Sequence, residues 1–170
     1  HMLHLGCGTG AVARKLQLDF PNLYCDSHDA SQFVIDLAKE FFHLPQDHEF
    51  ITSSAEEFLS SNNDKFDIIM IDLFEFEAMA QCLYQPAFYK DIQSSIIADG
   101  IVALNLIPQD QNNLLEVLLP LRQYFPNVWL SEIEGRSNIV LFAATDLNFD
   151  VSREVREGAS DAKLFGFDPR

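Results

Sequence analysis

Basic residues are scarce in this sequence. Its 170 residues include 11 lysines and arginines against 26 aspartates and glutamates, which gives a formal net charge of −15. No lysine or arginine occurs between Lys65 and Lys90, or between Lys90 and Arg122. Because binding to a phosphate backbone requires clustered basic side chains, the sequence predicts no nucleic-acid partner. An acidic surface suits a cationic small molecule or a basic protein, and ordinary solubility would explain it equally well.

Long apolar runs and paired cysteines are also missing. No apolar stretch approaches the ~20 residues that span a bilayer, and no secretory signal is recognisable, so we predict no membrane partner. The three cysteines, Cys7, Cys25 and Cys82, are odd in number and widely spaced. This pattern is typical of reduced thiols and predicts a cytoplasmic protein. The five histidines show no metal-ligand spacing, and we expect no metal.

The remaining composition is that of one globular domain. Hydrophobic residues make up 48% of the chain, which is enough for a substantial core. We place the domain at residues 1–146. Residues 147–170 lack hydrophobic periodicity, and we expect this tail to be loosely attached. The sequence begins inside its first strand, so we also expect an N-terminal segment to precede it. The sequence leaves open whether the domain forms a homodimer.

A glycine-rich turn joins the first predicted strand to the first predicted helix. Met2–Leu5 is the strand, G-C-G-T-G follows at residues 6–10, and apolar residues then recur at helical spacing. Glycine suits such a turn because it adopts positive φ and because a Cβ would occupy ligand space. The helix presents unpaired N–H groups towards the turn. Together these features predict a place where the backbone approaches a nucleoside closely.

An acidic residue ends the second predicted strand. Pro21-Asn22 stops the helix, and the strand that follows ends at Asp29, about twenty residues after the glycines, where related folds hold ribose hydroxyls. The combined pattern is G-C-G-T-G-x3-R-x-L-x3-F-P-N, followed by D-x-S. It resembles the S-adenosylmethionine site of class I methyltransferase-fold enzymes. The third glycine falls at Gly10 rather than one residue later, which favours this family over a nicotinamide-binding Rossmann domain.

Strands and helices alternate along the rest of the chain. Asp99-Gly100 is predicted to form a turn, and Pro120 to kink or interrupt its helix. The last two strands are joined so briefly that they must pair antiparallel. The predicted fold class is therefore α/β, with a doubly wound, mostly parallel seven-stranded sheet and an antiparallel last strand, the Rossmann-like methyltransferase fold. The further predicted strands cover residues 48–53, 66–72, 101–106, 127–133 and 138–144, and the further helices residues 31–42, 54–59, 86–97 and 114–125.

The second half of the chain narrows the resemblance. Four motifs occur in order: F-D-I-I-M-I-D-L-F-E-F-E, L-Y-Q-P-A-F-Y, A-D-G-I-V-A-L-N-L and S-N-I-V-L-F-A. Together they resemble the spermidine synthase (aminopropyltransferase) branch of the fold, over about residues 3–144. In such a sheet, ligands bind at the carboxyl ends of the strands. We therefore expect the glycine turn, Asp29, Ser54 and Asp72 to lie on one rim.

The resemblance implies a role for each rim residue. Asp29 would hold the ribose hydroxyls, and Ser54 stands where the branch has an acid that contacts the adenine amino group. Asp72 matches the acid that faces the amine acceptor, and Glu75 matches the second acid beyond it. These two are the predicted catalytic residues. The predicted cofactor-binding residues are Gly6, Cys7, Gly8, Gly10, Asp29, Ala30, Ser54, Ala55 and Asp72.

The sequence departs from that branch at several places. Thr9 replaces an acid of the glycine turn, Ser54 replaces the adenine-binding acid, and D-x-x-D-P becomes the stretch Asp72–Phe76. The N-terminal β-hairpin region that helps to select polyamines is not in this sequence. These departures bear on polyamine specificity rather than on cofactor binding.

Several side chains near the predicted rim have two interpretations. Asn105 either caps a turn or belongs to the pocket. The aromatic residues either pack in the core or form the apolar wall of a substrate slot. They are Phe74, Phe76, Tyr84, Phe88 and Tyr89.

The sequence predicts a transferase that resembles spermidine synthase. It would move a methyl or an aminopropyl group from S-adenosylmethionine or decarboxylated S-adenosylmethionine to a small, cationic amine acceptor, without a metal. Both reactions are displacements at a carbon beside a sulfonium, and the sequence leaves the choice between them open. The alternative is a degenerate nucleoside-binding or protein-interaction domain without catalysis. The serine at position 54 favours that alternative, whereas the intact glycine turn and Asp29 oppose it.

Overall fold

The computed structural model describes residues 1–42, 49–76, 78–133, 135–146 and 162–166. A short 3-10 helix spans Gln81–Tyr84. The α-helices are α1 (Ala11–Asp19), α2 (Gln32–Phe41), α3 (Ala55–Ser61), α4 (Pro86–Ser95) and α5 (Gln111–Arg122). The strands are β1 (Met2–Leu5), β2 (Cys25–Asp29), β3 (Phe50–Thr52), β4 (Phe66–Ile71), β5 (Phe74–Glu75), β6 (Ala78–Met79), β7 (Ile96–Leu106), β8 (Asn127–Ile133), β9 (Ile139–Ala144) and β10 (Ala162–Gly166).

Eight strands form one sheet in the order β10-β8-β9-β7-β4-β1-β2-β3. The central pairs β1–β2, β1–β4 and β4–β7 are parallel. β9 is antiparallel to both of its neighbours, β7 and β8. β5 and β6 form a separate two-stranded hairpin. This order confirms the predicted doubly wound, mostly parallel sheet with a reversed final strand in the domain.

The tail adds an eighth strand to the seven that the sequence predicts. β10 pairs antiparallel with β8 along residues Ala162–Gly166. Without this strand, β8 would be a sheet edge with unpaired N–H and C=O groups, and β10 satisfies them. Its sequence, A-K-L-F-G, does not alternate regularly between apolar and polar residues, so hydrophobic periodicity does not predict this strand. Residues 147–161 and 167–170 of the tail lie outside the described residues.

β7 starts earlier than predicted. Phe66 pairs with Ile96 and Ile68 pairs with Ile101. Residues 97–100 of β7 therefore lie opposite a single residue of β4, Asp67. The predicted turn at Asp99-Gly100 is therefore a bulge inside a strand. A Cβ on Gly100 would lie 2.9 Å from the carbonyl oxygen of Asp67, which explains the glycine.

Helix boundaries follow local signals. Ser31 caps α2 by accepting a hydrogen bond from the N–H of Val34, at 3.3 Å. α5 includes Pro120 and ends shortly after it, at Arg122 rather than at the predicted residue 125. Pro120 has no N–H to donate to the carbonyl oxygen of Glu116, so the last turn of the helix lacks one hydrogen bond. The sequence also predicts a loop at residues 44–47, and these lie outside the described residues. No helix in the described ranges is long and apolar enough to cross a membrane.

The core packs the central strands against the helices. Leu5 of β1, Ile71 of β4 and Leu104 of β7 are fully buried at neighbouring positions of the sheet. Tyr89 of α4 is also buried, and its hydroxyl donates to the carbonyl oxygen of Leu83 at 2.7 Å. Because these strands end beside one another, the residues that follow them share one rim.

Candidate functional site

The glycine turn begins at a close contact between two strands. Leu5 pairs with Ile71, which places Gly6 beside Asp72. Gly6 has φ +80°, and a Cβ there would lie 2.1 Å from the carbonyl oxygen of Asp72. The backbone N–H of Asp72 donates to the carbonyl oxygen of Leu5 at 2.9 Å. Glycine is therefore required both by the backbone conformation and by the space.

The start of the turn is held by the backbone of β2, and the turn is open above Gly8. The N–H groups of Gly6 and Cys7 both donate to the carbonyl oxygen of His28, at 2.9 and 3.0 Å. Gly8 has φ +51°, and a Cβ there would meet nothing within 4 Å. The turn thus leaves space for a ligand to approach its backbone.

Asp29 connects the turn to the start of α2. Its Oδ2 accepts the N–H of Gly8 at 3.0 Å, and its Oδ1 accepts the N–H of Ser31 at 2.9 Å. The side chain is half-buried at the end of β2. Each carboxylate oxygen has a second lone pair, so the group can still accept hydrogen bonds from two hydroxyls.

A cavity of about 200 Å³ lies over the ends of the strands. Of the predicted site residues, it is lined by Gly6, Asp29, Ala30, Ser54, Ala55 and Glu75. Cys7 is buried behind the turn, and Gly8 and Gly10 belong to the turn beside the cavity. Asp72 follows β4 at the same rim, and its side chain contacts β7 instead of lining the cavity.

The cavity lining is acidic at its rim. It includes the carboxylates of Asp29, Glu56 and Glu75, and no lysine or arginine of the described ranges lines it. Leu73, Phe74 and Ala80 supply apolar surface. The arrangement therefore suits a ligand with a flat apolar part, hydroxyl groups and positive charge.

Ser54 has a structural role in addition to its place in the cavity wall. Its hydroxyl accepts the N–H of Glu57 at 3.1 Å, and the Glu57 carboxylate accepts the N–H of Ser54 at 3.3 Å. This reciprocal pair is a capping box that starts α3. The hydroxyl hydrogen is not used by the cap, so Ser54 can still donate to a ligand.

Asp72 is the first member of a chain of polar side chains. The Asn105 amide donates from Nδ2 to Oδ1 of Asp72 at 2.8 Å, and the Asn138 amide donates from Nδ2 to Oδ1 of Asn105 at 3.0 Å. Burial raises the pKa of the Asp72 carboxyl, and the hydrogen bond from Asn105 opposes that rise. Asn105 thus contacts Asp72 and, like Asp72, is not among the residues that line the cavity.

The hairpin after β4 carries Glu75 and an exposed aromatic ring. The Glu75 carboxylate accepts the N–H of Gln81 at 3.4 Å. Phe76, at the hairpin tip, is fully exposed and has φ +57°. Proline, which the resembled motif has at this place, cannot adopt that φ, so the hairpin takes a conformation that the motif would exclude. Phe88 and Tyr89, in contrast, are core residues.

Several lining residues were not predicted. Glu56 and Ser53 adjoin predicted residues of the α3 start, so proximity in sequence would have indicated them. Cys82 and Ala80 come from the stretch after the hairpin, where periodicity is weak. Asn138 was part of a recognised motif but received no role.

Similarity to known proteins agrees with this geometry. A family model described as a methyltransferase domain matches residues 2–90, which include the glycine turn, Asp29, Ser54 and Asp72. This chain belongs to that family. This match confirms the predicted resemblance to methyltransferases.

Two curated relatives of the methyltransferase domain differ in the group that their names say they transfer. A probable polyamine aminopropyl transferase of Bifidobacterium longum is 29% identical over 118 residues, which are 68% of this chain and 26% of that protein. The eEF1A lysine and N-terminal methyltransferase of Xenopus laevis is 24% identical over 173 residues, covering 94% of this chain and 25% of that protein. The chain therefore spans about a quarter of the length of each of these relatives. These names confirm the predicted resemblance to aminopropyltransferases and methyltransferases.

A solved structure supports the fold of the methyltransferase domain. Human methyltransferase-like protein 13, in complex with SAH, aligns with a TM-score of 0.81 at 21% identity. The alignment covers 94% of this chain and 78% of the human chain. The predicted Rossmann-like methyltransferase fold is confirmed.

Metal ligands are not grouped in the part of the chain that the structure describes. No cluster of three or more histidine, cysteine, aspartate or glutamate side chains there could hold an ion.

Burial raises the pKa of Cys7 and of Cys82 to about 12, so both thiols stay protonated at neutral pH.

Proposed function

We propose that the methyltransferase domain binds an adenosyl sulfonium donor in the cavity beside the glycine turn and transfers a methyl or an aminopropyl group from it to an amine. The observation that carries this proposal is the convergence of Gly6, Asp29, Ser54 and Glu75, from four separate stretches, on one cavity. The names of the relatives, which include both reactions, support it.

The cavity residues fit the parts of such a donor. Asp29 would accept the two ribose hydroxyls through the lone pairs that the N–H groups of Gly8 and Ser31 leave available. Ser54 would donate to the adenine edge, and Leu73 and Phe74 would contact the adenine faces. The space above Gly8 fits a ligand that lies against the turn.

The charges of the cavity favour the decarboxylated donor. Asp29, Glu56 and Glu75 would repel the carboxylate of S-adenosylmethionine and attract a donor that carries only positive charge. Aminopropyl transfer is thus the first candidate reaction. Methyl transfer is the second, because Thr9 leaves the glycine turn without the acid of the aminopropyltransferase branch.

Asp72 would hold the acceptor amine and take up its proton. When bound, the donor supplies a carbon activated by the neighbouring sulfonium. The lone pair of the amine forms a C–N bond while the C–S bond breaks and its electrons stay on sulfur, and the nitrogen then releases a proton. A carboxylate is normally too weak a base for an amine, since their ordinary pKa values are about 3.9 and 10.4. Burial of Asp72 raises its pKa and reduces that difference.

The test is Asp72→Asn, which keeps the shape of the side chain and removes its charge. We expect donor affinity to stay within about twofold and turnover with an amine acceptor to fall by roughly 10²-fold or more. Asp67→Asn is the matched control, because Asp67 lies near the start of β4, whereas Asp72 follows the end of that strand. Equal turnover in both variants would remove Asp72 from the mechanism. Absence of turnover in the unmodified protein with every amine tested would favour the non-catalytic alternative.

A further inference from the structure

We propose that Asn138 is a positioning residue that acts through Asn105 to orient the Asp72 carboxylate towards the acceptor. The inference rests on the chain of hydrogen bonds Asn138–Asn105–Asp72, with donor–acceptor distances of 3.0 and 2.8 Å. Its importance for turnover rests on the proposed function, whereas its effect on Asp72 does not.

The direction of each hydrogen bond in this chain is fixed by chemistry. An ionised carboxylate only accepts hydrogen bonds, so Asn105 must present its NH₂ group to Asp72. The carbonyl oxygen of the same amide then points towards Asn138, which must in turn present its own NH₂ group. Asn138 therefore favours the one orientation of Asn105 in which a donor faces Asp72.

The sheet holds the three residues in place. Ile71 pairs with Leu104, so Asp72 follows β4 beside Asn105 of β7. Leu106 pairs with Ile139, so Asn138 lies at the start of β9 on the same rim. Asn105 and Asn138 are both half-buried, which strengthens hydrogen bonds between them relative to water.

Only one of the two carboxylate oxygens of Asp72 takes part in this chain of hydrogen bonds. Asn105 occupies Oδ1, and among the described residues the structure gives Oδ2 no hydrogen-bond partner. Oδ2 is thus the atom available to an acceptor amine. Other charged groups along this rim are Asp29 at the end of β2, Glu56 in α3, Glu75 in the hairpin, Glu132 of β8, which pairs with Ile139, and Arg136 in the β8–β9 turn.

The decisive variant is Asn138→Asp. A carboxylate at this position cannot donate at neutral pH, so Asn105 must turn its NH₂ group towards it and present its carbonyl oxygen to Asp72. Two acceptors then face each other, which disfavours the charged form of Asp72. We expect the pKa of Asp72, followed by carbon-13 NMR of its carboxyl group in the whole chain, to rise by about one unit or more.

Two further variants separate this relay from a simple effect of charge. Asn127→Asp makes the same substitution at the opposite end of the β8–β9 pair, where Asn127 donates to the carbonyl oxygen of Thr145 at 3.2 Å, and it should leave the pKa of Asp72 unchanged. In an Asn105→Ala background, Asn138→Asp should lose its effect, because the connecting amide is gone. An equal rise in that background would show direct repulsion and overturn the proposal.

Asn138→Ala is the second variant for the same NMR titration and replaces Asn138→Asp if the aspartate variant does not fold. Without its partner, Asn105 is a weaker donor, so the pKa of Asp72 should rise by a smaller amount in the same direction. An unchanged or lowered pKa in a folded Asn138 variant would overturn the proposal. With an amine acceptor, kcat should fall several-fold in Asn138→Asp while the KM for the donor stays constant. If the unmodified protein has no turnover, the proposed function fails, and the NMR titration still decides the role of Asn138.

Discussion

Replacing Gly6 with alanine should destabilise the domain far more than an ordinary glycine substitution. The new Cβ would lie 2.1 Å from the carbonyl oxygen of Asp72 and 2.8 Å from its carbonyl carbon, where ordinary contacts begin at 3.4 Å. The end of β4 would have to retreat by about 1.3 Å, and the 2.9 Å hydrogen bond from Asp72 to Leu5 would stretch or break. Left-handed backbone at alanine costs about 1–2 kcal/mol and overpacking about 1–3 kcal/mol, so the expected loss is roughly 2–5 kcal/mol.

Gly135→Ala is the matched control for this prediction. Gly135 has φ +74°, close to the +80° of Gly6, but a Cβ there would meet nothing within 4 Å. The control should lose only the conformational cost of about 1–2 kcal/mol. Urea denaturation of both variants and of the unmodified protein measures the two losses. Equal losses at Gly6 and Gly135 would refute the steric explanation of the glycine turn.

Two further predictions concern Asp72 and the donor. The pKa of Asp72 is raised by burial, so the folded state binds more protons than the unfolded state, and stability is lost as the pH rises from about 3.9 through the folded pKa. Asp72→Asn removes this loss. Urea denaturation at acidic and at neutral pH should therefore show that the variant gains stability relative to the unmodified protein as the pH rises. A stability difference that does not change with pH would contradict the burial of this charge. In calorimetry, decarboxylated S-adenosylmethionine should bind more tightly than S-adenosylmethionine, because three carboxylates line the cavity, whereas the reverse order would assign the domain to methyl transfer.

The fold was predictable wherever local sequence determines the structure. The glycine turn, the serine caps of α2 and α3, and the brief link before β9 each follow from a few neighbouring residues. β10 was not predictable, because its stability comes from the unpaired edge of β8 rather than from its own sequence. The start of β7 was missed for the same reason, since the bulge at Gly100 exists only in register with β4.

The site was predictable in position and less so in its contacts. Residues that follow parallel strands must share a rim, which placed Asp29, Ser54 and Asp72 correctly relative to the sheet. The cavity wall after β4 depends on the conformation of Phe76, where φ +57° turns the chain back into a hairpin. A single sequence gives no signal for positive φ at a phenylalanine. The Asn138 contact joins β9 to β7, and such distant pairs are set by the whole sheet.

Binding of an adenosyl ligand tests the central claim most directly. Calorimetric titration with methylthioadenosine, S-adenosylmethionine and decarboxylated S-adenosylmethionine should give dissociation constants below the millimolar range. Asp29→Ala should weaken binding by roughly 1–3 kcal/mol because the ribose hydroxyls lose a charged acceptor. Asp36→Ala, which removes an exposed carboxylate from α2, should leave the affinity unchanged. Absence of binding by all three ligands, or equal affinity of the Asp29 and Asp36 variants, would contradict the assignment of the cavity as the donor site.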